Sequence, residues 1–318
     1  MAIRISRCRG AWLASLGISL AACGAVADDD FITTEAPVGT TTEALLDGAD
    51  AGARWLDAVG ALFAPEAPEL GLCTGTLIGP TTVLTAKHCV LGAASLPDLA
   101  FVFALGPDVL APRATYPISG WATEPQIEPR ADLKYGIFGS DVAVARLGAP
   151  VTGVRPLAIG GVHAADRGRR FLIAGFGVRD EAGAFGLRQK GQLTLRGIGG
   201  NYADYAFGDL TGFIAAAGTL PDYASVPADA LPSEYERLAL LPHYQAVFGG
   251  EPGDAQTCDG DSGAPLLQRT RGGLTVVALA GAGDLASADR LCDFGSVAAV
   301  LAPRVRAFLR RELASAGF

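Results

Sequence analysis

Short runs of apolar, β-forming residues recur along most of the chain, and glycine or proline separates nearly all of them. Examples are "TVLTA" at 82–86, "RFLIAGFG" at 170–177 and "LTVVALAGAG" at 274–283. Many short strands with turns between them predict an all-β barrel or sandwich. Half of the 318 residues are apolar, which is enough for one large β domain or two small ones that share a core.

Two segments depart from this rhythm. The C-terminal "APRVRAFLRRELASAG" has helical spacing and predicts a helix whose apolar side packs on the β domain. The apolar residues of that side are Val305, Phe308, Leu309 and Leu313. Residues 199–255 are rich in Tyr, Ala, Asp and Pro, and we interpret them as an insert of long surface loops.

The charge balance excludes one class of partner. The formal net charge is −8, and the sequence has no stripe of lysine and arginine that could neutralise phosphates. We therefore expect no nucleic-acid partner. An acidic balance of this size indicates mainly that the protein is soluble.

Residues 1–22 have the features of a signal peptide. Arg4, Arg7 and Arg9 precede an uncharged run at 10–22, which is too short to span a membrane. We therefore expect the protein to be exported.

The uncharged run ends in "LAAC", which is similar to the lipobox of bacterial lipoproteins and implies lipidation of Cys23. Gly24 favours the outer membrane, and the lipid would be the only membrane attachment. A competing cleavage after Ala27 would release a periplasmic or secreted protein. We expect the lipoprotein, because cysteine is a rare residue to find there by chance. We interpret residues 23–50 as a tether or propeptide, and residues 51–318 as the folded domain.

The cysteines fit an exported protein. Cys8 leaves with the signal peptide, and Cys23 would carry lipid. An even number remains, which predicts disulfides, although spacing alone allows three pairings. The remaining cysteines are Cys73, Cys89, Cys258 and Cys292.

A lone serine stands in the turn-like stretch "TCDGDSGAPLL". If Ser262 is a nucleophile for acyl transfer, it needs a base held within hydrogen-bond reach in one tautomer. Three histidines are available. His88 follows a β-type run and precedes a cysteine, so its position is fixed, whereas His163 and His243 lie in loop-like segments. His88 is therefore the candidate base.

Four motifs in this chain resemble the trypsin/chymotrypsin family of serine proteases. They are "CTGTLIGPTTVLTAKHC" at 73–89, "SDVAVARL" at 140–147, "AGFG" at 174–177 and "CDGDSGAPL" at 258–266. The order His, Asp, Ser is also that of the family, and differs from that of subtilisins and α/β-hydrolases. The resemblance implies two packed six-stranded antiparallel β-barrels with a C-terminal helix. It also implies an endopeptidase that cleaves polypeptides through an acyl-enzyme.

The resemblance assigns a role to each candidate residue. Ser262 would be the nucleophile, and His88 the general base and later the general acid. Asp141 would accept the other imidazole N–H and stabilise the imidazolium. The backbone N–H groups of Gly260 and Ser262 would form the oxyanion hole, where glycine lets the amide point inward. The implied disulfides are Cys73–Cys89 and Cys258–Cys292.

The substrate pocket departs from the family pattern. Gln256, with Thr257 beside it, stands where trypsin has an aspartate. A neutral amide does not offset a buried Arg or Lys charge, so strict tryptic cleavage is not expected. Small residues replace the usual Ser-Trp-Gly, which suggests an open pocket with Gly295 on its far side. These small residues are Gly281, Ala282 and Gly283.

Activation also departs from the pattern. In this family, cleavage frees an Ile or Val amine that is buried against the acid before the nucleophile, here Asp261. No "IVGG" follows a basic residue in this chain. The nearest likeness, "LLDGADAG", makes Leu45 the candidate new N-terminus. The alternative is that this segment is a linker and that Asp261 pairs with another cation.

Two other functions stay open. One is a binding protein with a protease fold whose oxyanion hole never forms, which the missing "IVGG" favours and the intact triad opposes. The other is an esterase or amidase for small acyl substrates, which an open pocket allows. No cofactor is expected. No catalytic metal is expected either, because the sequence has no cysteine cluster and no metal-binding histidine motif.

Overall fold

Two antiparallel β-barrels form the body of the protein in a computed structural model. The first barrel is a closed ring of six strands. In the second, six strands also form a ring, because the first and the last of them pair with each other. This confirms the expected all-β fold of two packed six-stranded barrels. The structure describes residues 54–68, 72–125, 127, 129–180, 182–281, 285–288 and 290–316.

The first barrel has the strand order β1-β2-β3-β6-β5-β4, and β4 pairs back with β1. Its interior is filled by apolar side chains such as Leu77, Val83 and Phe103, which are fully buried. The strands are β1 (Val59–Phe63), β2 (Cys73–Gly79), β3 (Thr82–Thr85), β4 (Val102–Leu105), β5 (Ala114–Thr123) and β6 (Ala143–Leu147).

The second barrel has the order β8-β9-β10-β13-β12-β11, and β11 pairs back with β8. A two-residue strand, β7, adds to β12 in parallel. The strands are β7 (Ala158–Ile159), β8 (Arg170–Gly175), β9 (Gln189–Ile198), β10 (Gln245–Phe248), β11 (Pro265–Thr270), β12 (Gly273–Ala280) and β13 (Ser296–Val300).

The range 199–255 differs from the expectation of surface loops. It contains the barrel strand β10 and three short helices, which bury aromatic side chains in a small core of their own. Polar side chains cap the first two of these helices. The Asn201 side chain accepts a hydrogen bond from Ala203 N–H, and the Asp209 side chain accepts one from Gly212 N–H. The α-helices of the described residues are α1 (Lys87–Ala94), α2 (Tyr202–Phe207), α3 (Leu210–Ala217), α4 (Leu231–Arg237) and α5 (Pro303–Ser315), and short 3-10 helices span Arg54–Ala58 and Ala164–Asp166.

The C-terminal helix α5 confirms the prediction made from its apolar spacing. Val305, Phe308 and Leu309 are buried in a cluster that includes Ile78 of the first barrel and Leu267 of the second. The helix therefore joins the two barrels. None of the helices in the described part of the chain is long and apolar enough to cross a membrane.

Leu309→Ala should destabilise the protein strongly, because Leu309 is fully buried where α5 meets both barrels. We expect the free energy of unfolding to fall by about 2–5 kcal/mol. Arg310→Ala, at the exposed neighbouring position, is the matched control and should change it by less than about 0.5 kcal/mol. Denaturant unfolding of both variants measures the difference, and equal effects would contradict the docking role of α5.

Candidate active site

His88 and Asp141 form a tightly bonded pair between the first turn of α1 and the segment before β6. His88 Nδ1 lies 2.7 Å from Asp141 Oδ2, and the backbone N–H of His88 donates to Oδ1 at 2.9 Å. Both carboxylate oxygens therefore hold the same residue. Asp141 is 5 % exposed, while the His88 side chain keeps 17 % of its surface open.

Burial and pairing act in opposite directions on this pair. Burial raises the pKa of Asp141, but the charge and hydrogen bonds of His88 outweigh it, so the pKa lies below the usual aspartate value. Burial lowers the pKa of His88, but the charge and hydrogen bond of Asp141 outweigh it, so the pKa lies above the usual histidine value. The ionised carboxylate favours a proton on Nδ1, which leaves Nε2 as an acceptor.

A disulfide braces the His88 position. Cys73 at the start of β2 and Cys89 in α1 are bonded, as the resemblance implies. Among the described residues, Cys73, His88 and Cys89 also form the one grouping of three metal-ligand side chains. Both sulfurs are in the disulfide, so this grouping does not offer a thiolate site.

Ser262 lies in a tight turn that both barrels hold. Its carbonyl accepts a hydrogen bond from Thr74 N–H of β2 at 2.8 Å, and the next residue, Gly263, donates to Ala280 O of β12 at 2.7 Å. Cys89 Sγ lies 3.7 Å from the same Ser262 carbonyl oxygen. The structure thus brings the Ser262 turn beside the His88–Asp141 pair. Within the described residues, no hydrogen bond joins Ser262 Oγ to the His88 ring.

The turn requires glycine at two positions. Gly260 has φ +97°, and a Cβ there would lie 2.8 Å from the Cα of Gly177. Gly263 has φ +84°, and a Cβ there would lie 2.3 Å from Thr74 O. In the described part of the chain, the N–H groups of Gly260 and Ser262 have no protein acceptor.

The Asp261 side chain points away from the turn into a site lined by backbone. Its carboxylate accepts hydrogen bonds from Gly177 N–H at 2.9 Å and Cys258 N–H at 3.1 Å. Burial raises the pKa of Asp261 to about 6, although the two backbone hydrogen bonds oppose that shift. Among the described residues no cation pairs with it. Leu45, the candidate partner through its amine, lies outside the described residues.

Gln256 and Gly295, both expected in the pocket, are bonded to each other. Gly295 N–H donates to Gln256 Oε1 at 3.0 Å, and Gln256 Nε2 reaches Gly295 O at 3.4 Å and Thr257 O at 3.0 Å. The second expected disulfide, Cys258–Cys292, closes the same region. The Gln256 amide is therefore already hydrogen-bonded to the backbone of Thr257 and Gly295.

Gly281, Ala282 and Gly283 are the small residues that the sequence predicts in the pocket. Gly281 lies beside Asp141, because a Cβ built on it would be 3.6 Å from Asp141 Oδ2 and 2.8 Å from Val297 O. Ala282 and Gly283 lie outside the described residues, as does the lipidation candidate Cys23.

Sequence reasoning missed aromatic residues that support the site. The Phe138 ring lies 5.6 Å from the His88 ring. Tyr202 of α2 donates its hydroxyl to Gly295 O at 3.2 Å, and the Phe207 and Phe294 rings are 4.9 Å apart. No family motif marks these residues, although the aromatic density of 199–255 was a signal of buried contacts.

Residues 63–201 match the family model described as Trypsin. The fold is that of the trypsin-like serine proteases. The matched range contains β2 to β9 with His88 and Asp141, and Ser262 lies beyond it. A search of the curated proteins finds no match.

The buried Asp261 should make stability depend on pH. Its pKa in the folded protein, about 6, exceeds the ordinary value of 3.8, so folding favours the protonated acid. The stabilisation is complete below pH 3.8 and is lost as pH rises through 6. Relative to Asp261→Asn, the wild type should lose up to about 3 kcal/mol of unfolding free energy over this range.

Urea unfolding of both proteins at several pH values checks this expectation. Parallel profiles would contradict the assigned environment of Asp261. A wild type that gains stability as pH rises, relative to the variant, would instead indicate a cation on Asp261 from residues outside the described range.

Proposed function

We propose that this chain is an exported serine endopeptidase in which Ser262, His88 and Asp141 form the catalytic triad. The observation that carries the proposal is the buried His88–Asp141 pair with the Ser262 turn fastened beside it. A carboxylate that fixes one imidazole nitrogen, next to a serine on a glycine-rich turn, is the arrangement that nucleophilic acyl transfer needs.

In the first half of the reaction, Ser262 Oγ attacks the carbonyl carbon of the peptide bond, and His88 Nε2 takes the hydroxyl proton. The negative charge that develops on the carbonyl oxygen is stabilised by the N–H groups of Gly260 and Ser262. Asp141 stays ionised and stabilises the imidazolium. When the C–N bond breaks, His88 returns the proton to the leaving amine and the acyl-enzyme remains.

In the second half, water takes the place of the amine. His88 removes a proton from the water, whose oxygen attacks the acyl carbon. The bond to Ser262 Oγ then breaks, and the proton returns to the serine. The raised pKa of His88 follows from the Asp141 charge and hydrogen bond that outweigh burial, and it favours the imidazolium formed in both halves.

We propose a preference for uncharged residues over Arg and Lys on the amino side of the scissile bond. Gln256 brings no charge to the pocket, and Gly295 engages its amide on both sides. Gln256 therefore offers no carboxylate that could pair with a buried Arg or Lys of the substrate.

Export is the proposed setting of this reaction. Two disulfides, Cys73–Cys89 and Cys258–Cys292, support an oxidising compartment. The N-terminal "LAAC" supports a lipid anchor on Cys23, and the alternative is a released protein.

A second candidate is a non-catalytic binding protein. It is favoured by the absence of a hydrogen bond between Ser262 Oγ and the His88 ring in the described residues. It is also favoured by Asp261, which is held by backbone N–H groups alone in this part of the chain. The buried His88–Asp141 pair favours the enzyme instead. An esterase or amidase with the same triad would share every site residue.

The mature, exported protein should react with a fluorophosphonate probe at Ser262. Peptide mapping by mass spectrometry is expected to find the adduct on Ser262 and none in Ser262→Ala. The Asp141→Asn variant should label far more slowly, since loss of this carboxylate typically lowers kcat about 10⁴-fold. Absence of labelling in correctly processed protein would reject the endopeptidase in favour of the binding protein.

The pocket assignment predicts the order of peptide substrates. Peptides with Ala before the scissile bond should exceed those with Arg by roughly 10- to 200-fold in kcat/KM. Gln256→Asp should reverse the order by supplying the missing charge, and Gln256→Asn, which stays neutral, is the matched control. A wild type that prefers Arg would overturn the pocket assignment, and ester turnover without peptide turnover would favour the esterase.

A further inference from the structure

Lys87 is a buried charge that the reaction described above does not use. It directly precedes His88 in α1, and it is 8 % exposed. Its ammonium donates to Glu124 O at 2.7 Å and to Phe138 O at 3.0 Å. Burial lowers the pKa of Lys87, and the charges of Glu124 and Asp141 oppose that shift. A buried ammonium is costly unless such partners compensate it.

The two carbonyl groups belong to the loop that links β5 to Asp141, one at its start and one near its end. Glu124 N–H donates to Val142 O at 3.0 Å, so Glu124 is bonded to the residue that follows Asp141. Phe138 lies three residues before Asp141, and its ring is 5.6 Å from the His88 ring. Lys87 therefore connects α1, the helix that carries His88, to both ends of the loop between β5 and Asp141.

On its other side, Asp141 receives no side-chain support from Gly281. A Cβ at that position would lie 3.6 Å from Asp141 Oδ2 but only 2.8 Å from Val297 O, so a larger residue would force a shift. Among the described residues, the hydrogen bonds to the Asp141 carboxylate come from His88 alone. The attraction of Lys87 is the second source of positive charge that lowers the pKa of this carboxyl group.

We propose that Lys87 is a positioning residue that holds Asp141 and Phe138 against His88 through its two backbone hydrogen bonds. It does not touch the substrate, and its ammonium takes no part in proton transfer. The kinetic consequence rests on the proposed function, but the geometry is testable without turnover.

The first test uses Ser262→Ala protein, so that catalysis is not needed. NMR of histidine-labelled protein follows the proton between His88 Nδ1 and Asp141 and the titration of the His88 ring. Replacement of His163 and His243 assigns the signals. In the added Lys87→Met variant, which keeps the apolar stem, we expect the bridging proton signal to broaden and the pKa of His88 to fall. An unchanged signal and an unchanged or higher pKa would overturn the proposal.

Lys134→Met is the matched control. Lys134 lies in the same loop and lines the same small cavity as Asp141, but its ammonium bonds Asp222 and the Tyr223 hydroxyl rather than the backbone at 124 and 138. Its removal should leave the bridging proton and the His88 titration as in the parent. If Lys87→Met does not fold, Lys87→Gln, which keeps one donor, is measured by the same criteria.

The second test measures hydrolysis of a small activated ester by protein with an intact Ser262. Lys87→Met should lower kcat about 10- to 100-fold with KM nearly unchanged, because the binding surface is intact while the base is misplaced. Lys134→Met should retain the parent kcat. Equal kcat in parent and Lys87→Met would overturn the positioning role. Absence of turnover in the parent would reject the proposed enzyme and leave the NMR test to decide the role of Lys87.

Discussion

The hydrogen bonds between Asp141 and His88 are the interaction on which the surrounding structure depends. They hold a carboxylate that is almost entirely removed from water, which would be unfavourable without a partner on each oxygen. That partner must come from another element, here the first turn of α1. The disulfide at Cys89, the Phe138 ring and the buried Lys87 all limit the movement of the same short helix.

The Ser262 turn comes from the other barrel, so the candidate site exists only where the two barrels meet. Thr74 of the first barrel and Ala280 of the second each bond the backbone of this turn. Helix α5 secures the joint with apolar side chains that contact both barrels. The stability of the interface and the geometry of the site are therefore linked, although α5 supplies no site residue.

Much of the fold and the candidate triad could be predicted because the responsible signals are local. The strands around His88 and Ser262 are short apolar runs, and Val305 to Leu309 repeat with helical spacing. Pro117 and Gly120 interrupt the pattern of strand β5, and β10 lies in a segment whose Tyr, Ala, Asp and Pro content is typical of loops. The contacts of Lys87 and Tyr202 join residues far apart in sequence, and no local pattern reports such contacts.

The contacts of α2 with Phe294 and Gly295 have a consequence for how this region can vary. Tyr202 and Phe207 touch Gly295 and Phe294 from behind. Substitutions in this helix can therefore move the backbone of Phe294 and Gly295 without changing those two residues. Under the proposed function, the shape of the substrate pocket is thus set partly by a helix core that no substrate would contact.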